Sequence, residues 1–128
     1  MRLESDLVSL CGAAVRGCLD GVEVRWDGRA ALGVVMAAAG YPDQFRTGDP
    51  IRGLEAAEAL PGKVFHAGTR ATGLEVLTAG GRVLCAVGLG ERIADARREA
   101  YELVHAIHWE GVQYRRDIGG RALADASP

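Results

Sequence analysis

The stretch Lys63–Gly90, KVFHAGTRATGLEVLTAGGRVLCAVGLG, limits most severely what this chain can fold into. It holds three short β-rich runs, Lys63–Thr69, Leu74–Thr78 and Arg82–Leu89, separated at Gly68, Gly73, Gly80 and Gly81. Valine, leucine, threonine and phenylalanine suit a pleated, half-buried surface, and glycines at the joints permit turns with positive φ. Short strands at close spacing with glycine turns predict an antiparallel meander. In the last run Val83, Cys85, Val87 and Leu89 share one face, while Leu84, Ala86 and Gly88 share the other. Both faces are apolar, so both are expected to be covered.

Helices flank this region. Leu3, Leu7, Leu10, Cys11, Ala14, Val15 and Cys18 recur at helical period, and Gly17, Asp20 and Gly21 end the pattern. Nothing precedes this helix except Met1 and Arg2, which suggests a domain cut from something longer. Val22–Trp26 is a short alternating segment before a turn at Asp27–Gly28. Ala30–Ala39 is apolar on both faces; its length and flanking turns favour a buried strand, while its alanines leave a helix open. Gly40-Tyr41-Pro42-Asp43 stops it, and a long surface loop follows to Gly53. Leu54–Leu60 reads as one or two helical turns stopped by Pro61–Gly62. The clearest helix runs over about Arg92–His108, with Ile93, Ala96, Ala100, Leu103, Val104 and Ile107 inward. Arg97, Arg98, Glu99 and Glu102 are expected to face outward and pair at i, i+4. Asp125–Pro128 are expected to fray.

The 128 residues suit one α+β domain, and 48% hydrophobic with 25% charged residues is ordinary globular composition. A formal charge of −2 supplies no general attraction to nucleic acid or an anionic membrane. The longest apolar run, Ala30–Gly40, is far shorter than the roughly 20 residues of a membrane span. Cys11, Cys18 and Cys85 lack CxxC spacing and read as small buried hydrophobes in a reducing compartment, so a cytoplasmic protein is expected.

Candidate chemistry is sparse. Arg115-Arg116-Asp117-Ile118-Gly119 is the sharpest cluster: two guanidiniums beside a glycine can hold a phosphate, with Asp117 fixing one of them. A solvated turn with an ion pair competes with that interpretation. His66 reads as a hydrogen-bonded core residue ahead of an acid, base or ligand. His105 and His108 can share a helix face, but neither a cysteine pair nor HExxH accompanies them, so no metal site is assigned. Gly80-Gly81 reads as a hairpin turn, and Gly88-Leu89-Gly90 lacks the third glycine of a dinucleotide fingerprint. No catalytic residue is assigned.

Seven stretches taken in order resemble the C-terminal region of the phosphoribosylamine–glycine ligase family, in the ATP-grasp superfamily. They are RLESDLVSL, LGVVMAAAGYP, RTGDPIRGL, KVFHAGT, GGRVLCAVGLG, AYELVHAIHW and YRRDIGGRA, covering Arg2 to Ala122. The resemblance implies a small antiparallel meander or sandwich-like barrel, a rudimentary hybrid motif, packed with an N-terminal and a C-terminal amphipathic helix. It implies that residues 1–20 continue from a missing ATP-grasp domain and that residues 21–128 form a substrate wall. The complete enzyme would use ATP with Mg²⁺ or Mn²⁺ to join glycine to phosphoribosylamine in purine synthesis; no cofactor is expected in this chain. The upstream ATP-grasp region and a phosphoribosyl substrate are the implied partners, and the isolated chain is expected to lack ligation activity. By the same resemblance Arg115 and Arg116 would hold the ribose phosphate, with Asp117 orienting them and Gly119 in the same turn. Tyr41, Thr69 and Arg70 would line the same cleft. Ala39, Val87 and Gly120 depart from the residues usual in the family. A free-standing, non-catalytic β-rich binding or assembly module is the alternative. A carrier module presenting Lys63, the only lysine, is disfavoured because no methionine flanks it.

Overall fold

The computed structural model describes residues 1–124; the fraying expected of Asp125–Pro128 lies outside them. In chain order the elements are α1 (Leu7–Val15), β1 (Ala30–Ala37), α2 (Leu54–Glu58), β2 (Lys63–His66), β3 (Thr69–Thr72), β4 (Glu75–Thr78), β5 (Arg82–Gly90), α3 (Ile93–Ala106), β6 (Gln113–Tyr114) and α4 (Gly120–Ala124). Ala30–Ala37 is therefore a strand, as its length and flanking turns favour.

Four strands form one antiparallel sheet in the order β2-β5-β1-β6, and β3 and β4 form a separate two-stranded ribbon. The α+β class with antiparallel strands holds. Within Lys63–Gly90, however, the strands are nested rather than consecutive, and no closed barrel forms. The nesting has a local cause at the neck of the ribbon. Gly68 donates its N–H to the Arg82 carbonyl at 2.9 Å, and Ala79 donates to the Gly68 carbonyl at 2.7 Å. These bonds bring the two ends of the ribbon together, so β5 pairs back onto β2 and across to β1. Gly80-Gly81 leads the chain out of the ribbon instead of turning a β4–β5 hairpin.

One helix covers one face. Leu32, Val34 and Met36 of β1 lie beside Gly88, Ala86 and Leu84 of β5, and all are buried. Ala96, Ala100, Leu103 and Val104 of α3 complete this core, joined by Ile107 and Trp109. The opposite face is barer than expected: Ala31, Gly33, Val35 and Phe65 are exposed, and Cys85, Val87 and Leu89 are half-buried. Alternation along β1 makes the reason visible, because α3 crosses only the Leu32–Met36 side.

The N-terminal helix also departs from expectation. It starts at Leu7 because the Asp6 carboxylate caps it, accepting from the backbone N–H groups of Val8 and Ser9. Leu3 lies outside the helix in an isolated antiparallel bridge to Trp26. The apolar stripe meets no core: Leu7 is 59% and Val15 88% exposed, and within the helix the buried residue is Ala13, outside the stripe. Cys11 and Cys18 are exposed with it, and Cys85 is half-buried, which corrects their assignment as buried hydrophobes. Burial nonetheless pushes the Cys85 thiol above its ordinary range.

Candidate functional site: an arginine turn held to a helix

β6 runs antiparallel to β1, with Met36 opposite Tyr114, and carries the chain back along the edge of the sheet. The next residues, Arg115–Gly119, turn across that edge towards α3. Gly119 has φ +79°, and a Cβ there would lie 2.5 Å from Leu32 Cδ1, so both its angle and its contact call for glycine.

Two side chains of α3 tie this turn down by its backbone. Arg97 Nε donates to the Ile118 carbonyl at 2.9 Å, and its Nη2 donates to the Arg116 carbonyl at 3.0 Å. The Tyr101 hydroxyl donates to the Arg115 carbonyl at 2.7 Å and accepts from the Ile118 N–H at 3.1 Å. The Arg97 guanidinium carbon lies 4.9 Å from the centroid of the Tyr101 ring, so the two anchors also support each other. His105 completes the support, its ring 6.3 Å from Tyr101 and 6.5 Å from Tyr114.

Above these anchors lies a shallow hollow of about 480 Å³ lined by Arg115, Asp117, Ile118, Gly119, Gly120 and Arg121, among others. Asp117 accepts from Arg115 Nε at 3.0 Å and from Nη2 at 2.6 Å. The pair leaves Nη1 of Arg115 outside both bonds. The Arg115 guanidinium holds the Asp117 carboxyl below the usual carboxylate range, and Asp117 in turn raises Arg115. The hollow and its neighbourhood thus carry Arg115, Arg116 and Arg121 against the carboxylate of Asp117, a positive balance suited to an anion.

Arg115, Asp117 and Gly119 of the expected set are brought together; Arg116 contributes its carbonyl to the anchoring and does not line the hollow. Tyr41, Thr69 and Arg70 do not line the hollow; Tyr41 lies past the end of β1, and Thr69–Arg70 lie in the β3–β4 ribbon. Tyr41 is joined to its neighbour by a cis peptide at Tyr41–Pro42, with its ring against Gly81 and 6.4 Å from Phe45. The Thr69 hydroxyl shares a hydrogen bond with His66 Nδ1 at 3.0 Å, and Arg70 pairs with Leu77 across the ribbon. His66 itself is exposed, not a core residue, because it closes an edge strand. Arg97, Tyr101 and Arg121 went unassigned from sequence. Arg97 and Tyr101 are one helical turn apart on α3, a spacing that places them on one face and was available beforehand. Their shared target was not.

A larger groove of about 800 Å³ lies between α2, β2 and β4, with Arg52, Glu55, Glu58, Lys63, His66 and Glu75 on its walls. Its charges are mixed, and they select no ligand class. Among the described residues no group of three or more His, Cys, Asp or Glu side chains is placed to hold a metal ion. No helix among them is long and apolar enough to cross a membrane.

The family described as "Phosphoribosylglycinamide synthetase, C domain" matches residues 31–121. The chain belongs to this family. The matched range runs from the start of β1 into the first residues of α4 and includes the arginine turn. Similarity to longer proteins extends further towards the N-terminus. The chain is 55% identical over 124 residues to a phosphoribosylamine–glycine ligase of Vibrio cholerae, covering 97% of this chain and 29% of that protein. It is 56% identical over 124 residues to the Allochromatium vinosum protein of the same name, with the same coverage. The crystal structure of phosphoribosylamine–glycine ligase from Thermotoga maritima superposes with a TM-score of 0.64 at 41% identity, covering 85% of this chain and 27% of that one. The C-domain family member described here thus spans less than a third of the length of the relatives it matches.

Proposed function

We propose that this chain is the C-terminal, substrate-facing part of a phosphoribosylamine–glycine ligase, acting in the cytoplasm in de novo purine synthesis. The complete enzyme would join glycine to 5-phosphoribosylamine with ATP, giving glycinamide ribonucleotide, ADP and phosphate. Residues 1–20 continue from an upstream ATP-grasp portion, in the same or another chain, which binds ATP and Mg²⁺. Residues 21–128 form one wall of the substrate cleft.

In that wall Arg115 and Arg116 take the ribose phosphate, and Asp117 orients Arg115. Tyr41, Thr69 and Arg70 form a far rim that the upstream portion closes over. The observation that carries the assignment is the Arg115–Gly119 turn, anchored to α3 by four hydrogen bonds while the Arg115 side chain remains at a surface hollow. Bidentate guanidinium–phosphate contacts require that kind of fixed geometry. The exposed apolar residues of α1, Leu7, Val8 and Val15, support the need for an upstream partner.

A chimera tests this. This chain would replace the corresponding segment of the Vibrio cholerae ligase, and initial rates would be followed by ADP release. The chimera is expected to turn over. Arg115→Ala is expected to raise KM for phosphoribosylamine about tenfold or more, with KM for ATP within about twofold, as for a lost charge-assisted contact to one substrate. An unchanged KM for phosphoribosylamine would remove Arg115 from the site.

A further inference from the structure

We propose that Arg97 and Tyr101 are positioning residues for anion binding, a proposal that rests on the assignment of the Arg115–Gly119 turn as the phosphate site. They act by drawing the carbonyl oxygens of the turn back towards α3. A turn that presents both arginine side chains and backbone carbonyls to a phosphate works against itself, because carbonyl oxygens repel the anion that the guanidiniums attract. Here the carbonyls of Arg115, Arg116 and Ile118 are all engaged by the two α3 side chains, at 2.7, 3.0 and 2.9 Å. Three of the turn's acceptors are therefore saturated from behind.

The two residues do this in different ways. Arg97 spends its donors on carbonyls and makes no ion pair among the described residues, unlike Arg98 beside it, which pairs with Asp95 at 3.1 Å. Its positive charge is consequently left to act on the hollow. Tyr101 holds the turn at both ends of a single hydroxyl, donating to the Arg115 carbonyl and accepting from the Ile118 N–H. That clamp sets the separation of residues 115 and 118, and with it the direction in which Arg115 leaves the backbone. Ring contact between Arg97 and Tyr101 makes the pair one unit.

The test uses the whole 128-residue chain, with inorganic phosphate and ribose 5-phosphate as separate probes titrated against backbone amide NMR shifts. Four variants are compared: Arg115→Ala, Tyr101→Phe, Arg97→Lys and Arg97→Met. Tyr101→Phe keeps the ring and removes the clamp, and is expected to weaken ribose 5-phosphate binding about fivefold, the worth of one net hydrogen bond. Arg97→Lys keeps the charge and loses the fork, and is expected to weaken binding nearly as much as Arg97→Met. Melting temperatures record any loss of fold; a purely structural role would lower them and leave the affinity of the folded chain unchanged.

If Arg115→Ala abolishes binding while Tyr101→Phe and Arg97→Lys bind like the parent chain, the positioning proposal is overturned and the phosphate site stands. Full rescue by Arg97→Lys would reduce the role of Arg97 to its charge and overturn its part in positioning. Binding unaffected by Arg115→Ala, or no binding by the parent chain at millimolar probe, would remove the site and the positioning role together.

Discussion

Asp27 shows how much one carboxylate can be committed at a surface turn. It accepts from the Arg29 guanidinium at 2.7 Å and from the Arg29 backbone N–H at 2.9 Å. The side-chain bond leads in pulling its pKa from 3.8 to about 2. A depressed carboxylate stabilises the fold when ionised. The contribution is thus complete above 3.8 and disappears as the pH falls through about 2. Melting temperatures of the parent chain and Asp27→Asn, measured from pH 6 downward, are expected to differ at the top of that range. They should converge towards pH 2; a gap that stays constant would contradict the linkage. Asp117 follows the same sign, since its carboxyl is also held low, first by the hydrogen bond from Arg115.

At the scale of elements, the contact between α3 and β5 governs stability. A Cβ on Gly88 would stand 2.2 Å from the Ala96 carbonyl oxygen and 2.6 Å from the Ala100 backbone nitrogen. The obstruction is helix backbone, which cannot swing aside as a side chain does. Gly88→Ala is therefore expected to destabilise the chain by about 1–3 kcal/mol or more, read as a lower urea midpoint with an unchanged slope. The same element separates what sequence could disclose from what it could not. The inward face of α3 follows directly from its period, and Ala96, Ala100, Leu103 and Val104 are all buried. Its outward face did not follow. Arg97 is half-buried and reaches the turn, and Glu99 accepts from the Leu89 N–H at 3.2 Å; only Arg98 and Glu102 approach each other as expected, at 3.9 Å. Periodicity tells which residues face the nearest core, but a long polar side chain chooses its partner from segments many residues away. The arginine turn was legible as a cluster because its residues adjoin in sequence. Its anchors were not, because they sit 14 to 21 residues away. Strand existence was likewise readable from the glycine-punctuated runs, whereas nesting depended on backbone bonds at the neck of the ribbon.

For the molecule as a whole, apolar side chains are left open on α1, on the uncovered face of the sheet, at Trp26 and at Leu74 between β3 and β4. Trp26 is 60% exposed, and Val35 and Phe65 are 44% and 42% exposed, alongside Val8 and Val15. Exposed apolar area of this kind suits contact with another protein surface, as the proposed upstream portion would provide. With ATP, Mg²⁺, glycine and phosphoribosylamine, the chain alone is expected to release no ADP above background in a coupled assay. Clear turnover by the isolated chain would contradict the proposed role as one wall of a larger active site.

The register of the main sheet also bears on how the chain acquires its structure. β1 is complete at Ala37, yet its two neighbours are β5, which begins at Arg82, and β6, which begins at Gln113. During synthesis, β1 must therefore emerge well before either hydrogen-bonding partner exists, with both its edges open. The ribbon of β3 and β4 can close locally; the central strand cannot, and it pays the loop-closure entropy of long-range pairing. Folding of this domain is thus expected to be late and abrupt. A nascent chain halted before Arg82 would hold an orphan strand, open to chaperones or to pairing with a neighbour.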